Sequence, residues 1–76
     1  MNDYNLGEII KQHRKIALLT QLELANLAGV GKTTVFDIEK NKDNVSLKNL
    51  KLILKVLNIK INFESPLKNK YENSIN

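Results

Sequence analysis

The residues most suggestive of chemistry form a short stretch in the middle of the chain, Gly29-Val30-Gly31-Lys32-Thr33-Thr34. Its Gly-Lys-Thr ending is typical of a P-loop, in which backbone N–H groups and a lysine bind nucleotide phosphates. The Walker pattern, however, requires glycine where Asn26 stands, and it follows a buried strand, whereas a polar helix is predicted here. We therefore interpret the stretch as a turn and expect no nucleotide cofactor.

The rest of the sequence contains no arrangement of residues typical of a catalytic or metal-binding site. There is no cysteine, and the one histidine, His13, cannot form a zinc site alone. A nucleophile, a base and an orienting group are nowhere arranged together. We therefore expect no enzymatic activity, no metal and no other cofactor.

Two short amphipathic helices are predicted on either side of the turn. Thr20 and Glu23 form a capping box at the start of the first helix, and Gly29 can end it in the left-handed conformation. The inward side chains expected from the helical period are Leu24, Leu27 and Ala28 in the first helix and Val35 and Ile38 in the second. This layout is that of a helix-turn-helix, whose second helix can enter the major groove of DNA.

Residues 20–39 follow the pattern Thr-Gln-x-Glu-Leu-Ala-x-x-Ala-Gly-Val and then x-x-Thr-Val-x-x-Ile-Glu, which resembles the phage-repressor (Cro/XRE) helix-turn-helix family. The resemblance covers the chain from about Leu6 to Leu57. It implies an all-α, lambda-repressor-like bundle of four to five helices that binds double-stranded DNA. It also implies a partly buried salt bridge between Arg14 and Glu39, which stand at the family's positions for that pair.

The family contacts base edges from positions that are held here by Lys32, Thr33 and Asp37, with Phe36 beside them. Lys32 can donate to guanine, Thr33 can bond a base or touch a thymine methyl group, and Asp37 can accept from cytosine. Phe36 can touch a thymine methyl group or lie in a partner interface. Asp37 can instead restrain Lys40 or Lys32, because an acid near phosphates is costly unless it is paired.

Contacts to the DNA backbone are expected at both ends of the helix pair. Thr20 and Gln21 begin the first helix, where free N–H groups and the helix dipole favour a phosphate. The residues after the second helix, Lys40, Asn41 and Lys42, can reach the neighbouring backbone. Similar positions contact phosphates in the family that the chain resembles. An ordinary solvated loop is the alternative interpretation for Lys40 and Lys42.

The C-terminal part of the chain predicts one further helix and then a strand. The strand is predicted at residues 59–64, where apolar and polar residues alternate before Pro66. A lone strand has an unpaired edge, which favours pairing with another chain. We expect a homodimer in which two such strands pair antiparallel across a two-fold axis and bury Ile59, Ile61 and Phe63 against the helices. The alternative is an extended arm that packs on its own monomer.

Length and composition limit the remaining possibilities. The 76 residues allow one small domain, which we place at residues 1–66, followed by a disordered tail at 67–76. The net charge of +4 suits an anionic partner. No apolar run approaches the roughly 20 residues of a membrane span, and the N-terminus lacks the layout of a signal peptide. We expect a cytoplasmic protein with no membrane partner.

The sequence therefore predicts a sequence-specific transcriptional repressor that binds an inverted-repeat operator as a homodimer. The chain resembles antitoxins of the HipB type in its small size, in the loop before the last helix and in the predicted strand. That resemblance implies a HipA-type kinase toxin as partner and autoregulation of the shared operon. One alternative is a stand-alone phage-type or restriction-control repressor without a toxin partner. Another is a protein-interaction module that has lost DNA binding.

Overall fold

Four α-helices make up the structure, a computed structural model that describes residues 5–63 and 65–67. They are α1 (Leu6–Ile16), α2 (Gln21–Ala28), α3 (Lys32–Glu39) and α4 (Leu47–Val56). The predicted small all-helical class is confirmed, with four helices in the described range. Among these helices, none has the length and apolar character needed to cross a membrane.

The boundaries of α2 follow the predicted local signals. The hydroxyl of Thr20 accepts a hydrogen bond from the Glu23 N–H at 3.0 Å, and the Glu23 carboxylate accepts one from the Thr20 N–H at 2.8 Å. At the other end, Gly29 adopts the left-handed conformation with φ of 74°. The capping box and the glycine stop are therefore confirmed, and α3 begins after a turn of only three residues, 29–31.

The core lies where α2 packs against both α3 and α4, with α1 packed against α3. Its buried apolar residues are Ile10, Leu24, Ala25, Ala28, Val35, Ile38, Ile53 and Leu54. The inward positions of Val35 and Ile38 are confirmed. The prediction for Leu27 is wrong, because Leu27 is 62% exposed and Ala25 is fully buried in its place. The small alanine side chain suits the helix face that two neighbouring helices approach.

α1 and the C-terminal end of α3 are in direct backbone contact at Gly7. A Cβ atom added to Gly7 would lie 2.6 Å from the carbonyl oxygen of Glu39 and 2.7 Å from that of Ile38. Glycine therefore allows the first turn of α1 to touch the last carbonyls of α3. The contact joins the positive end of one helix dipole to the negative end of another.

A buried ion pair joins the same two helices further along. The Nε of Arg14 donates to Glu39 Oε2 at 2.6 Å, and its Nη2 donates to Glu39 Oε1 at 3.1 Å. The remaining guanidinium nitrogen, Nη1, donates to the carbonyl of Leu19 at 2.9 Å. Gln21, at the start of α2, donates its side-chain N–H to Glu39 Oε1 at 3.1 Å. In the described part of the chain, no buried side-chain nitrogen or oxygen lacks a partner.

The charged forms of both partners are stabilised by this geometry. Burial alone would raise the pKa of Glu39, but the hydrogen bonds from Arg14 and Gln21 and the positive guanidinium outweigh it, so its pKa lies below the ordinary value of 4.5. The hydrogen bond to Glu39 raises the pKa of Arg14 despite its own burial. The pair thus remains ionised across the neutral range.

The segment after α4 does not form the predicted strand. Ile59 packs against the core and donates its N–H to the carbonyl of Leu54 at 2.9 Å, but residues 59–63 belong to no ladder, and the described range contains no strand. The prediction of a strand at 59–64 is therefore wrong for residues 59–63 of the single chain, because a strand forms only where another segment bonds to it and none does so within the described residues. Ile61 and Phe63 are 46% and 82% exposed. Glu64 and the part of the predicted tail from residue 68 onward lie outside the described residues.

Replacing Gly7 with alanine tests the contact between α1 and α3. We expect Gly7→Ala to lower the free energy of unfolding by about 2 kcal/mol, because the new methyl group meets backbone atoms that cannot rotate away. Gly31→Ala is the matched control, since its Cβ would lie 3.9 Å from its nearest neighbour, and we expect it to cost less than about 1 kcal/mol. Urea unfolding of both variants measures the difference. Equal losses would show that the close contact at Gly7 is unimportant.

The lowered pKa of Glu39 predicts a specific acid sensitivity. Because the folded-state pKa is below the unfolded value, the stabilisation is complete above about pH 4.5 and is lost as the pH falls from there through the folded-state pKa. The free energy of unfolding of Glu39→Gln should be lower at pH 7, by about 3 kcal/mol, and should fall less steeply below pH 4.5 than that of the wild type. Asp43→Asn, which removes an exposed carboxylate and leaves the pair intact, should keep the wild-type slope. Identical slopes for Glu39→Gln and the wild type would contradict the assignment.

Candidate nucleic-acid interface

The exposed surface around the start of α3 brings together residues that the sequence separates. An open groove of about 420 Å³ is lined by Gln21, Lys32, Thr33 and Phe36. Lys32, Thr33 and Phe36 are exposed, whereas Asp37 is half-buried. The groove thus contains three of the four residues predicted to contact bases and one predicted to contact phosphate. Asp37 follows Phe36 on α3 but does not line the groove.

The tight turn explains why this groove is open. The N–H of Val30 donates to the carbonyl of Ala25 at 2.9 Å, which closes the end of α2 around the left-handed Gly29. Gly31 is the N-cap of α3 and adds no side chain at the rim. Val35 and Ile38 hold α3 in the core from the opposite side. The polar residues at the start of α3, Lys32 and Thr33, are therefore exposed beside the groove.

A cation–π contact, rather than an ion pair, connects the exposed face of α3 with the loop that follows. The ammonium group of Lys40 lies 5.6 Å from the centre of the Phe36 ring. The described part of the chain contains one ion pair, Arg14 with Glu39, so Asp37 pairs with neither Lys40 nor Lys32. The restraint on Lys40 that the sequence assigned to Asp37 is instead provided by Phe36, its neighbour one helical turn away.

The five residues predicted to contact phosphates have different surroundings. The side chains of Thr20 and Gln21 are used within the domain, Thr20 in the capping box and Gln21 in its bond to Glu39. Lys40 and Lys42 are exposed. Asn41 accepts a hydrogen bond from the Gly7 N–H at 2.9 Å and donates one to the Asn5 side chain at 3.0 Å.

Asn5 and Gly7 were not identified from the sequence as neighbours of this loop. The sequence signal for this loop conformation was the asparagine that follows α3, because asparagine is among the residues that tolerate positive φ. In the structure, Asn41 has φ of 58°. Within the described range, no three His, Cys, Asp or Glu side chains meet as a metal site would require. The surface therefore combines hydrogen-bond donors, the exposed Lys32, Lys40 and Lys42 and the Phe36 ring, on α3 and the loop after it.

Comparison with known proteins agrees with this description. A family model described as HTH_3, helix-turn-helix, matches residues 10–63. The control protein C.SmaI of Serratia marcescens is 32% identical over 56 residues, which are 74% of this chain and 67% of that protein. Two solved structures, titled "MDT Protein" and "Structure of HipA-HipB-O2-O3 complex", are each 27% identical and superimpose with a TM-score of 0.73. Each covers 87% of this chain, which in turn covers 93% of theirs.

The family match begins in α1 and includes all of α2, α3 and α4. It thereby contains the tight turn, the groove and the Arg14–Glu39 pair. The resemblance to the XRE type that the sequence suggested is confirmed. The chain belongs to the helix-turn-helix family HTH_3 and is a DNA-binding transcription regulator of the XRE type.

Proposed function

We propose that this protein is a sequence-specific transcriptional repressor that binds DNA through the N-terminal half of α3. The observation that carries the proposal is the groove in which Gln21, Lys32, Thr33 and Phe36 meet on an exposed face beside a tight turn. Promoter occlusion is then the simplest mechanism of repression, because the bound domain covers the DNA itself.

Within this proposal, base edges and phosphates are contacted by different residues. Lys32 donates to guanine, Thr33 bonds a base or touches a thymine methyl group, and Phe36 adds an apolar surface. Lys40 and Lys42 neutralise phosphates on the neighbouring backbone. Asp37, half-buried and without a basic partner in the described range, acts against sequences that place phosphate or an acceptor beside it.

The regulator acts as a homodimer in our proposal. An apolar groove of about 520 Å³ runs between α4 and the following segment; it is lined by Leu47, Leu50, Lys51, Leu54, Lys55, Ile59, Ile61 and Phe63. Residues 59–63 join no ladder within the described range, and the side chains of Ile61 and Phe63 are exposed, so this segment can pair with a second copy. Antiparallel pairing about a two-fold axis would cover the groove. Such a dimer would read an inverted repeat with half-sites about one helical turn apart.

The preferred biological role is that of an antitoxin that represses the operon it shares with a HipA-type kinase toxin. This is supported by the likeness to the structure titled as a complex of HipA, HipB and O2-O3, in which this chain covers 93% of the matched chain. A restriction-control repressor without a toxin partner is the second candidate, supported by the 32% identity to the control protein C.SmaI. A purified HipA-type kinase that forms a stable complex with this chain would decide for the antitoxin.

The assignment of α3 to base recognition is tested by the double variant Lys32→Ala with Thr33→Ala. Fluorescence anisotropy compares a duplex selected in vitro by the wild type with a scrambled duplex across a salt series. We expect the wild type to prefer the selected duplex by about 10³-fold. The variant should lose at least about tenfold of that preference, because base contacts specify sequence. Lys15→Ala removes one charge from the exposed end of α1 and should keep the preference.

Each other outcome of this measurement has a definite meaning. Equal, steeply salt-dependent binding of the wild type to both duplexes would reduce the interaction to charge attraction and overturn sequence-specific recognition. Absence of binding to either duplex would favour the protein-interaction module. A full preference in the folded double variant would move recognition away from the start of α3.

The dimer is tested by placing a charge in the apolar groove. Phe63→Asp should weaken self-association at least about 30-fold, because an unpaired carboxylate would have to be buried in the interface. Leu18→Asp is the matched control, since Leu18 is 88% exposed, lies outside the groove and has a positive φ that aspartate tolerates. Sedimentation equilibrium measures both dissociation constants. A monomeric wild type, or equal association in Phe63→Asp and the wild type, would refute this interface.

A further inference from the structure

The loop that follows α3 is attached to the first turn of α1 by a single side chain. Asn41 Oδ1 accepts a hydrogen bond from the N–H of Gly7, and Asn41 Nδ2 donates to Asn5 Oδ1. The same Asn5 oxygen accepts from the N–H of Glu8 at 3.1 Å. Two first-turn N–H groups of α1, which have no partner within the helix, are therefore satisfied by a pair of bonded asparagines. One of the pair comes from a loop 34 residues away from Gly7.

The backbone of the loop is also hydrogen-bonded to α3, in addition to the bonds that the Asn41 side chain makes to α1. The N–H groups of Lys40, Asn41 and Lys42 donate in succession to carbonyls of α3, at 3.1, 3.0 and 3.0 Å for the bonds to Phe36, Ile38 and Asp37. Asn41 itself has φ of 58°. Asparagine tolerates this conformation and also provides the acceptor and the donor that the contact with α1 requires. Among the other residues, glycine tolerates the conformation best but has no side chain.

The two residues that flank Asn41 are the exposed lysines assigned to phosphate contacts. The ammonium group of Lys40 lies 5.6 Å from the centre of the Phe36 ring. The backbone N–H of Lys42 is hydrogen-bonded to a carbonyl of α3. Binding by a lysine orders both its side chain and the backbone that carries it, and a backbone that is already fixed removes the second of these entropy costs. The position of Asn41, between two lysines and bonded to a different helix, is therefore suited to preorganising them.

We propose that Asn41 is a positioning residue for DNA binding: it locks residues 40–42 onto α1 so that Lys40 and Lys42 are held ready for the phosphate backbone. Because its side chain is engaged by Gly7 and Asn5, we assign it this positioning role in place of the direct phosphate contact predicted from the sequence. The inference rests on the proposed function, because it assigns a role within the same DNA-binding surface.

A double-mutant cycle tests this role. The full chain is titrated by fluorescence anisotropy with the selected and the scrambled duplex as wild type, Asn41→Gly, Lys40→Ala with Lys42→Ala, and the combined triple variant. Asn41→Gly keeps the positive φ and removes only the side-chain bonds. We expect it to weaken binding to both duplexes about fivefold in the wild-type background and less than about twofold in the background without the two lysines. A purely structural role would give the same loss in both backgrounds.

Asn58→Gly is the matched control for glycine itself. Asn58 is also exposed with φ of 58°, ends the turn after α4 and has no side-chain hydrogen bond within the described residues. It should leave DNA affinity unchanged. Thermal unfolding of every variant ensures that the titrations are made on folded protein. Because loss of phosphate positioning acts on both duplexes alike, the selected-to-scrambled ratio should stay at its wild-type value in Asn41→Gly.

The possible failures are distinguishable. Equal losses in both backgrounds, no loss in Asn41→Gly, or no loss on removing the two lysines would each overturn the positioning role while sequence-specific recognition stands. A wild type that binds both duplexes equally would overturn sequence-specific recognition, and the cycle would still be measured on either duplex. Absence of any DNA binding would overturn both.

Discussion

The attachment of α3 to the rest of the domain depends on one carboxylate. Glu39 is the last residue of α3, and its two oxygens accept hydrogen bonds from Arg14 of α1 and from Gln21 of α2. Arg14 also bonds the carbonyl of Leu19, in the connection between those two helices. Three helices and one connection are thereby fixed around a single buried ion pair. Removal of either ion-pair partner leaves the other charge buried without compensation, which is more costly than the loss of an ordinary contact.

The attachment of α3 is uneven along its length, and this asymmetry suits DNA recognition. Its C-terminal end is fixed three times, by the Glu39 pair, by the backbone contact at Gly7 and by the loop through Asn41. Its N-terminal end is attached through the short turn and through Val35, and it leaves Lys32 and Thr33 exposed. Rigid support at one end and exposure at the other leave side chains at the start of α3 accessible to a ligand without loosening the core.

Features that depend on nearby residues were predictable from the sequence, whereas those that depend on distant partners were not. The capping box of Thr20 and Glu23 and the helix end at Gly29 each depend on residues that are only a few positions apart in the sequence. The burial of Ala25 instead of Leu27 follows from the packing of α2 against two helices at once, which helical period alone does not specify. The alternating pattern of residues 59–63 predicted a strand, but a strand also needs a partner segment, and none bonds to these residues within the described part of the chain. The bonds of Asn41 span 34 and 36 residues and have no local signature.

The exposure of Ile61 and Phe63 has a thermodynamic consequence for the whole domain. A chain of this length buries a modest core, and anything that binds the folded form alone adds to its stability in proportion to the logarithm of its concentration. Whatever covers this apolar segment therefore contributes directly to keeping the helices folded. A partner that bound only the folded form through this segment would make the melting temperature of the domain depend on the partner's concentration.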